Sequence, residues 1–202
     1  GETPVVVPEP TEDAAEEARP AEDGSALGTP TRLNEFGIPV GYPRTEAGAI
    51  SACGNYMSAF DDARNRQPSV VEDVLRSIAD EDTVQDVKRL IIEADSITAK
   101  NFEVQSIHSP QFNFNLRTIG YQVQSYNENE SAIAIYSASG VGVYDGPTYL
   151  QPQVFWGVTY CKVSWDGKDW KLSDASDGPD WPALTERSSN EFMRFALVGV
   201  KS

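Results

Sequence analysis

Apolar residues before residue 100 recur at the spacing of amphipathic helices. The first stripe follows Thr45, a residue type that caps helix N-termini. Its members lie three or four positions apart: Ile50, Cys53, Met57 and Phe60. Residues 69–72 and 82–85 each have the spacing of a capping box, and an amphipathic stretch follows both. The pattern therefore predicts three consecutive helices.

The pattern changes after residue 115, where β-branched and aromatic residues dominate. Four such runs cover residues 116–125, 132–143, 154–165 and 170–173. Asp166 and Gly167 form the pair that tight hairpin turns favour, between the last two runs. Helices followed by antiparallel strands indicate an α+β fold, with helices packed on a curved antiparallel sheet. Near the C-terminus, a serine at residue 188 or 189 is expected to cap a short helix that includes Met193, and the alternative is a last edge strand over residues 197–200.

Both cysteines are predicted to point into the core. Cys53 belongs to the apolar stripe of the first helix, and Cys161 shares one strand face with Thr159 and Val163. A disulfide between helix and sheet is geometrically reasonable, and two buried free thiols are an equal alternative. A disulfide would indicate an oxidising compartment.

Residues 1–31 differ from the rest of the chain. They contain five prolines and eight acidic residues against one basic residue, Arg19, and little apolar surface. This composition predicts a disordered acidic leader, with a single α+β domain over residues 32–202. The leader is either a solvated tail or a stalk that holds the domain away from a membrane anchor upstream of Gly1.

The charge balance argues against several classes of partner. The chain has 31 acidic and 16 basic residues, a net charge of −15, which repels phosphate backbones and anionic lipid headgroups. We therefore expect no direct nucleic-acid binding, and membrane contact only through the anchor.

No residues in the sequence match a catalytic or metal-binding pattern. His108 is the only histidine, and the two cysteines lack metal-ligand spacing, so we expect neither a metal nor a cofactor. His108 is interpreted as an ordinary polar loop residue rather than a general base, and Asp61 and Asp62 as a solvated helix end rather than groups at a cavity mouth. These interpretations argue against an enzyme.

Five aromatic residues have spacings that allow an apolar pocket between the first helix and the sheet. They are Tyr56, Phe60, Tyr121, Trp156 and Tyr160. Core packing is the alternative explanation for the same residues.

Two segments resemble a known family. Residues 156–172 (WGVTYCKVSWDGKDWKL) resemble the last hairpin of the nuclear-transport-factor-2-like superfamily. Residues 37–49 (GIPVGYPRTEAGA), followed by Asn55 and Tyr56, resemble actinobacterial proteins of that fold. Those proteins are membrane-anchored and associated with conjugative elements. The resemblance implies a cone-shaped domain whose first helix lies across the concave face of the sheet.

We therefore expect an extracytoplasmic, non-enzymatic interaction domain of a membrane-anchored protein. Its partners would be proteins, a second copy of the same chain among them, and the resemblance implies a conjugation or secretion assembly. The alternative is a domain that binds a small molecule, or is weakly enzymatic, through the pocket between helix and sheet.

Overall fold

The computed structural model describes residues 28–178 and the two-residue segment 193–194. Three α-helices come first: α1 (Glu46–Ala59), α2 (Val71–Ile78) and α3 (Glu81–Asn101). A 3-10 turn at Ala63–Arg66 links α1 to α2. Most of the predicted leader lies outside the described residues, so the boundary at residue 32 stays a prediction. No helix in residues 28–178 is both long enough and apolar enough to cross a bilayer.

The helices start differently from what the sequence predicts. The hydroxyl of Thr45 accepts a hydrogen bond from the Gly48 amide and caps α1 as expected. Neither predicted capping box forms, however. No side chain caps α2, which begins at Val71, or α3, which begins before Asp82. Acidic residues in the first turns of α2 and α3 interact favourably with the positive end of each helix dipole instead.

The strands after the helices form one antiparallel sheet, which confirms the predicted fold class. Its four long strands are β3 (Phe112–Tyr126), β4 (Glu130–Val143), β5 (Gln153–Trp165) and β6 (Trp170–Asp177). They lie in the order β6-β5-β4-β3, and β7 (Met193–Arg194) extends the sheet beyond β3. The short strands β1 (Arg32–Leu33) and β2 (Pro39–Val40) form a separate ribbon.

The predicted C-terminal helix is wrong at Met193. This residue pairs with Tyr121 at the edge of the sheet and is therefore extended. Residues 188 and 189, the predicted cap, and residues 197–200, the alternative edge strand, lie outside the described part of the chain.

An irregularity in β3 decides which residues face the helices. Thr118 pairs with Ser137, but Gly120 pairs with Tyr136, so Ile119 is an extra residue in β3. Such a bulge shifts the alternation of faces by one position. As a result Thr118 and Tyr121 both lie on the helical side of the sheet, although their numbers have opposite parity.

Cys53 of α1 and Cys161 of β5 form a disulfide. Their Cα atoms are 6.0 Å apart, and both side chains are fully buried within the main core. The structure thereby decides between the two alternatives that the sequence leaves open. The bond joins the middle of α1 to the second strand of the sheet.

The two segments that carry the family resemblance contact each other. Asp169, a buried carboxylate in the β5–β6 hairpin, accepts hydrogen bonds from the backbone amides of Gly41, Tyr42 and Trp170. The indole of Trp170 donates in turn to the carbonyl of Pro43. These bonds fasten the chain just before α1 to the edge of the sheet, so the resemblance lies in residues with a structural role.

We predict that the C53A/C161A double variant keeps its fold and loses stability. The two cysteines are 108 residues apart in the sequence. In the chain-entropy model, opening a loop of that size lowers the free energy of unfolding by about 4–5 kcal/mol. Urea denaturation of the oxidised wild type and of the variant measures the difference. Wild-type protein reduced in the denaturant is the control and should match the variant. A loss below about 1 kcal/mol would contradict the stabilising role of the bond.

Candidate functional site

A cavity of about 120 Å³ lies between α1, α3 and the sheet. Its apolar wall on the helical side consists of Met57, Phe60, Val87, Leu90, Ile91 and Ala94. On the sheet side the apolar residues are Leu116, Ile135 and Ala175. The polar side chains around it are Asp61, Arg66, Thr118, Ser137, Thr159 and Asp177. The cavity is therefore mostly apolar, with a few polar groups at fixed positions, which is the usual make-up of a ligand site.

Asp61 is fixed in this cavity by the end of α1 and by β3. The amide of Asp61 donates to the carbonyl of Ser58, which closes the helix and turns the chain toward the sheet. Its Oδ2 then accepts hydrogen bonds from both the amide and the hydroxyl of Thr118, each 2.9 Å long. The bulge directly after Thr118 places this residue on the helical side.

The environment of Asp61 disfavours its charged form. Burial raises the pKa of Asp61 to about 6, although the hydrogen bonds from Thr118 and the positive charge of Arg66 oppose that change. The prediction of a solvated helix end is therefore wrong for Asp61. It holds for Asp62, whose side chain is 40% exposed and pairs with Arg64, and the hydrogen bond from Arg64 lowers the pKa of Asp62.

Arg66 forms another fixed polar group beside the cavity. Its guanidinium is 2.6 Å from the carboxylate of Asp95 on α3, and both side chains are largely buried. It also donates to the carbonyl of Phe60, and it lies 5.5 Å from the centre of the Phe114 ring. The charge of Arg66 is thus balanced by Asp95, and its position is set by three contacts.

The structure does not bring the five predicted pocket residues together. Only Phe60 lines the cavity. Tyr56 is fully buried in the core, where its hydroxyl donates to the carbonyl of Trp170, and Tyr121 packs in the same core. Trp156 and Tyr160 pack on the opposite face of the sheet. The physical reason is strand alternation: Cys161 faces α1, so its even-numbered neighbours on β5 face away.

His108 lies apart from this cavity. It is half-buried in the loop between α3 and β3, where its amide donates to the hydroxyl of Ser106, and it borders a second, shallower cavity. Among residues 28–178, no three histidine, cysteine, aspartate or glutamate side chains are grouped closely enough to hold a metal ion.

Of the two residues that define the site, the sequence indicates Asp61, because it follows the apolar stripe of α1 and can reach a cavity mouth, although the solvated helix end is the preferred interpretation. The sequence does not indicate Thr118. No local signal places Thr118 beside Asp61, because that contact depends on the bulge in β3.

Comparisons with known proteins give one family match. A family model described as a domain of unknown function (DUF8175) matches residues 20–193. No match was found among curated proteins. Among solved structures, the intermembrane space region of chloroplast protein ARC6 is similar, with 14% sequence identity. The alignment covers 66% of this chain and 94% of that chain, with a TM-score of 0.37. A TM-score of this size does not establish a shared fold.

We predict that replacing Asp61 with asparagine changes how stability depends on pH. The pKa of Asp61 in the folded protein, about 6, lies above its unfolded value of 3.8, so the folded state binds this proton more tightly. This contribution to stability is complete below about pH 4 and is lost as the pH rises through about 6. The stability of D61N relative to wild type should therefore increase by about 2–3 kcal/mol between about pH 4 and about pH 7.

Urea denaturation at a series of pH values measures this difference, and D62N is the matched control. Because the pKa of Asp62 is lowered, the relative stability of D62N should stay nearly constant between about pH 5 and about pH 7 and should rise only at lower pH. A pH-independent difference between D61N and wild type would show that Asp61 is solvated.

Proposed function

We propose that this chain, which belongs to the DUF8175 family of domains of unknown function, is a non-enzymatic, extracytoplasmic domain that binds other proteins. The family description assigns no activity. The support therefore comes from the surface and the core of the described residues.

The observation that carries the proposal is a concentration of exposed apolar side chains at one end of the sheet. Six large hydrophobic residues are exposed in the described part of the chain, and four of them lie in residues 144–155. These four, which we call the hairpin patch, are Tyr144 (67% exposed), Tyr149 (66%), Val154 (61%) and Phe155 (45%). Clustered exposed apolar residues on a soluble domain commonly mark an interaction site.

The hairpin patch is supported on the helical side of the sheet at Phe155, whereas its neighbour Val154 on β5 lies on the opposite face. The ring of Phe155 contacts the edge of Phe102, which in turn packs against Phe112. Leu150 is buried in the same small core. Aromatic side chains on a rigid base lose little conformational entropy on binding, and such residues supply much of the energy of protein interfaces.

The disulfide supports an extracytoplasmic location. Structural disulfides persist in oxidising compartments and are rare in the cytosol. The bond between Cys53 and Cys161 lies in the main core, as a structural disulfide does. We propose further that a segment outside this sequence anchors the protein to a membrane, with the acidic leader as the spacer.

The resemblance to the nuclear-transport-factor-2-like superfamily supports the choice of assembly. The actinobacterial proteins that residues 37–49 resemble are associated with conjugative elements, so we propose that this domain takes part in a conjugation or secretion assembly. Its partner there is another protein or a second copy of this chain. Its net charge of −15 supports partners other than nucleic acid.

The cavity with Asp61 favours a second candidate function, the binding of a small molecule. A partly buried carboxylate with a raised pKa in a mostly apolar cavity is an arrangement found at functional sites. At about 120 Å³, the cavity admits only a small ligand.

We predict that a protein partner contacts the hairpin patch in cells that encode this protein. A photo-crosslinking amino acid is placed in the full-length protein at Tyr149 or Phe155. The matched controls carry it at Leu33 or Ile97, which are also exposed apolar residues. Discrete crosslinked species are expected at the two patch positions and not at the controls. Crosslinks of the same size and yield at all four positions, or at none, would contradict the proposal.

A further inference from the structure

The charges around the cavity are unbalanced. Arg66 is the only basic residue in the described lining, and its charge is balanced by Asp95. Asp61 and Asp177 remain, and neither forms an ion pair with another described residue. Asp177 is exposed at the end of β6 and therefore lies in high dielectric, whereas Asp61 is half-buried. The cavity as a whole therefore carries a negative potential that is strongest at Asp61.

One oxygen of Asp61 is available to a ligand. Oδ2 takes both hydrogen bonds from Thr118, while Oδ1 accepts none from the residues that the structure describes. A carboxylate only accepts hydrogen bonds when ionised, so its natural partner is a donor, and a cationic donor forms the stronger, charge-assisted bond. A ligand with a positive charge would also offset the cost of keeping this carboxylate away from water.

The apolar residues that line the cavity determine the size and polarity of the ligand group that fits it. Met57, Phe60, Ile91 and Ile135 present hydrocarbon or aromatic surface to the cavity. A cavity of about 150 Å³ with such walls holds benzene, so about 120 Å³ holds about five or six non-hydrogen atoms, and the open side leaves room for the remaining atoms of a slightly larger ligand.

We propose that this cavity binds a small apolar amine, with the ammonium group on Oδ1 of Asp61 and the hydrocarbon body between α1, α3 and the sheet. The proposal rests on the second candidate function above and names its ligand class. Thr118 is a positioning residue, because it fixes the carboxylate orientation without touching the ammonium group. Neutral alcohols and hydrocarbons of the same shape are the weaker ligands.

Three probes of one shape test the proposal: benzylamine, benzyl alcohol and toluene. Each is titrated at neutral pH into the purified, oxidised full chain, and dissociation constants are measured by calorimetry. Benzylamine should bind at least about tenfold more tightly than benzyl alcohol or toluene, as one charge-assisted hydrogen bond allows. In D61N, the affinity for benzylamine should fall to that for benzyl alcohol, while the affinity for benzyl alcohol changes by less than about twofold.

D174N is the matched control, since Asp174 is exposed on β6 and does not line the cavity. It should leave all three affinities unchanged. If D61N fails to fold, the amide resonance of Thr118 in the wild type provides the second measurement. It should shift on titration with benzylamine, because it donates to the same carboxylate.

The outcomes distinguish an error in the ligand class from an error in the small-molecule function. If none of the three probes binds, the small-molecule function itself is wrong. If the neutral probes bind as tightly as benzylamine, the cavity is a ligand site but the preference for a cation is wrong. If benzylamine binds and neither D61N nor the Thr118 resonance responds, the amine binds elsewhere and the proposal is overturned.

Discussion

The structure depends on how α1 is held across the sheet. Two residues of α1 and the residue that follows its C-terminal cap contact three different strands. The hydroxyl of Tyr56 binds the backbone of β6, Cys53 is bonded to β5, and Asp61 accepts two hydrogen bonds from β3. A helix tied at these points can neither slide nor rotate on the sheet, so the space at its C-terminal end has a fixed shape.

That constraint explains how a charged group comes to lie in an apolar cavity. Removing a carboxylate from water is costly, and for Asp61 the cost is only partly offset by Thr118 and Arg66. The disulfide stabilises the middle of the same helix, and the bonds of Asp169 stabilise the chain that leads into it. The unfavourable placement of Asp61 therefore persists because stronger contacts elsewhere determine the path of α1.

Much of the fold could be predicted from the sequence, because it follows from local periodicity. The stripe from Ile50 to Phe60 correctly places Cys53 in the core, although Ile50 and Met57 are only partly buried. Alternation along β5 correctly places Cys161 there. The same alternation separates Tyr160 from Cys161, yet the predicted pocket ignored it and mixed the two faces of the sheet. The spacing of residues along the chain therefore contains the information for these features.

The candidate site could not be predicted in the same way. Thr118 reaches Asp61 only because β3 contains an extra residue at Ile119, and a bulge leaves no clear local signature. The helix starts were also missed, because Ser69 and Asp82 have capping-box spacing while the tertiary structure begins the helices elsewhere. The misses thus lie where pairing between distant segments overrides local preference.

The central claim is that α1 holds the carboxylate of Asp61 inside a partly closed cavity on the sheet. The most direct measurement is the carboxyl-carbon resonance of Asp61, followed by NMR as the pH is varied. The structure predicts a titration midpoint near pH 6. A midpoint close to 3.8, the ordinary value for an aspartate in water, would show that Asp61 is solvated and that the cavity is not as described.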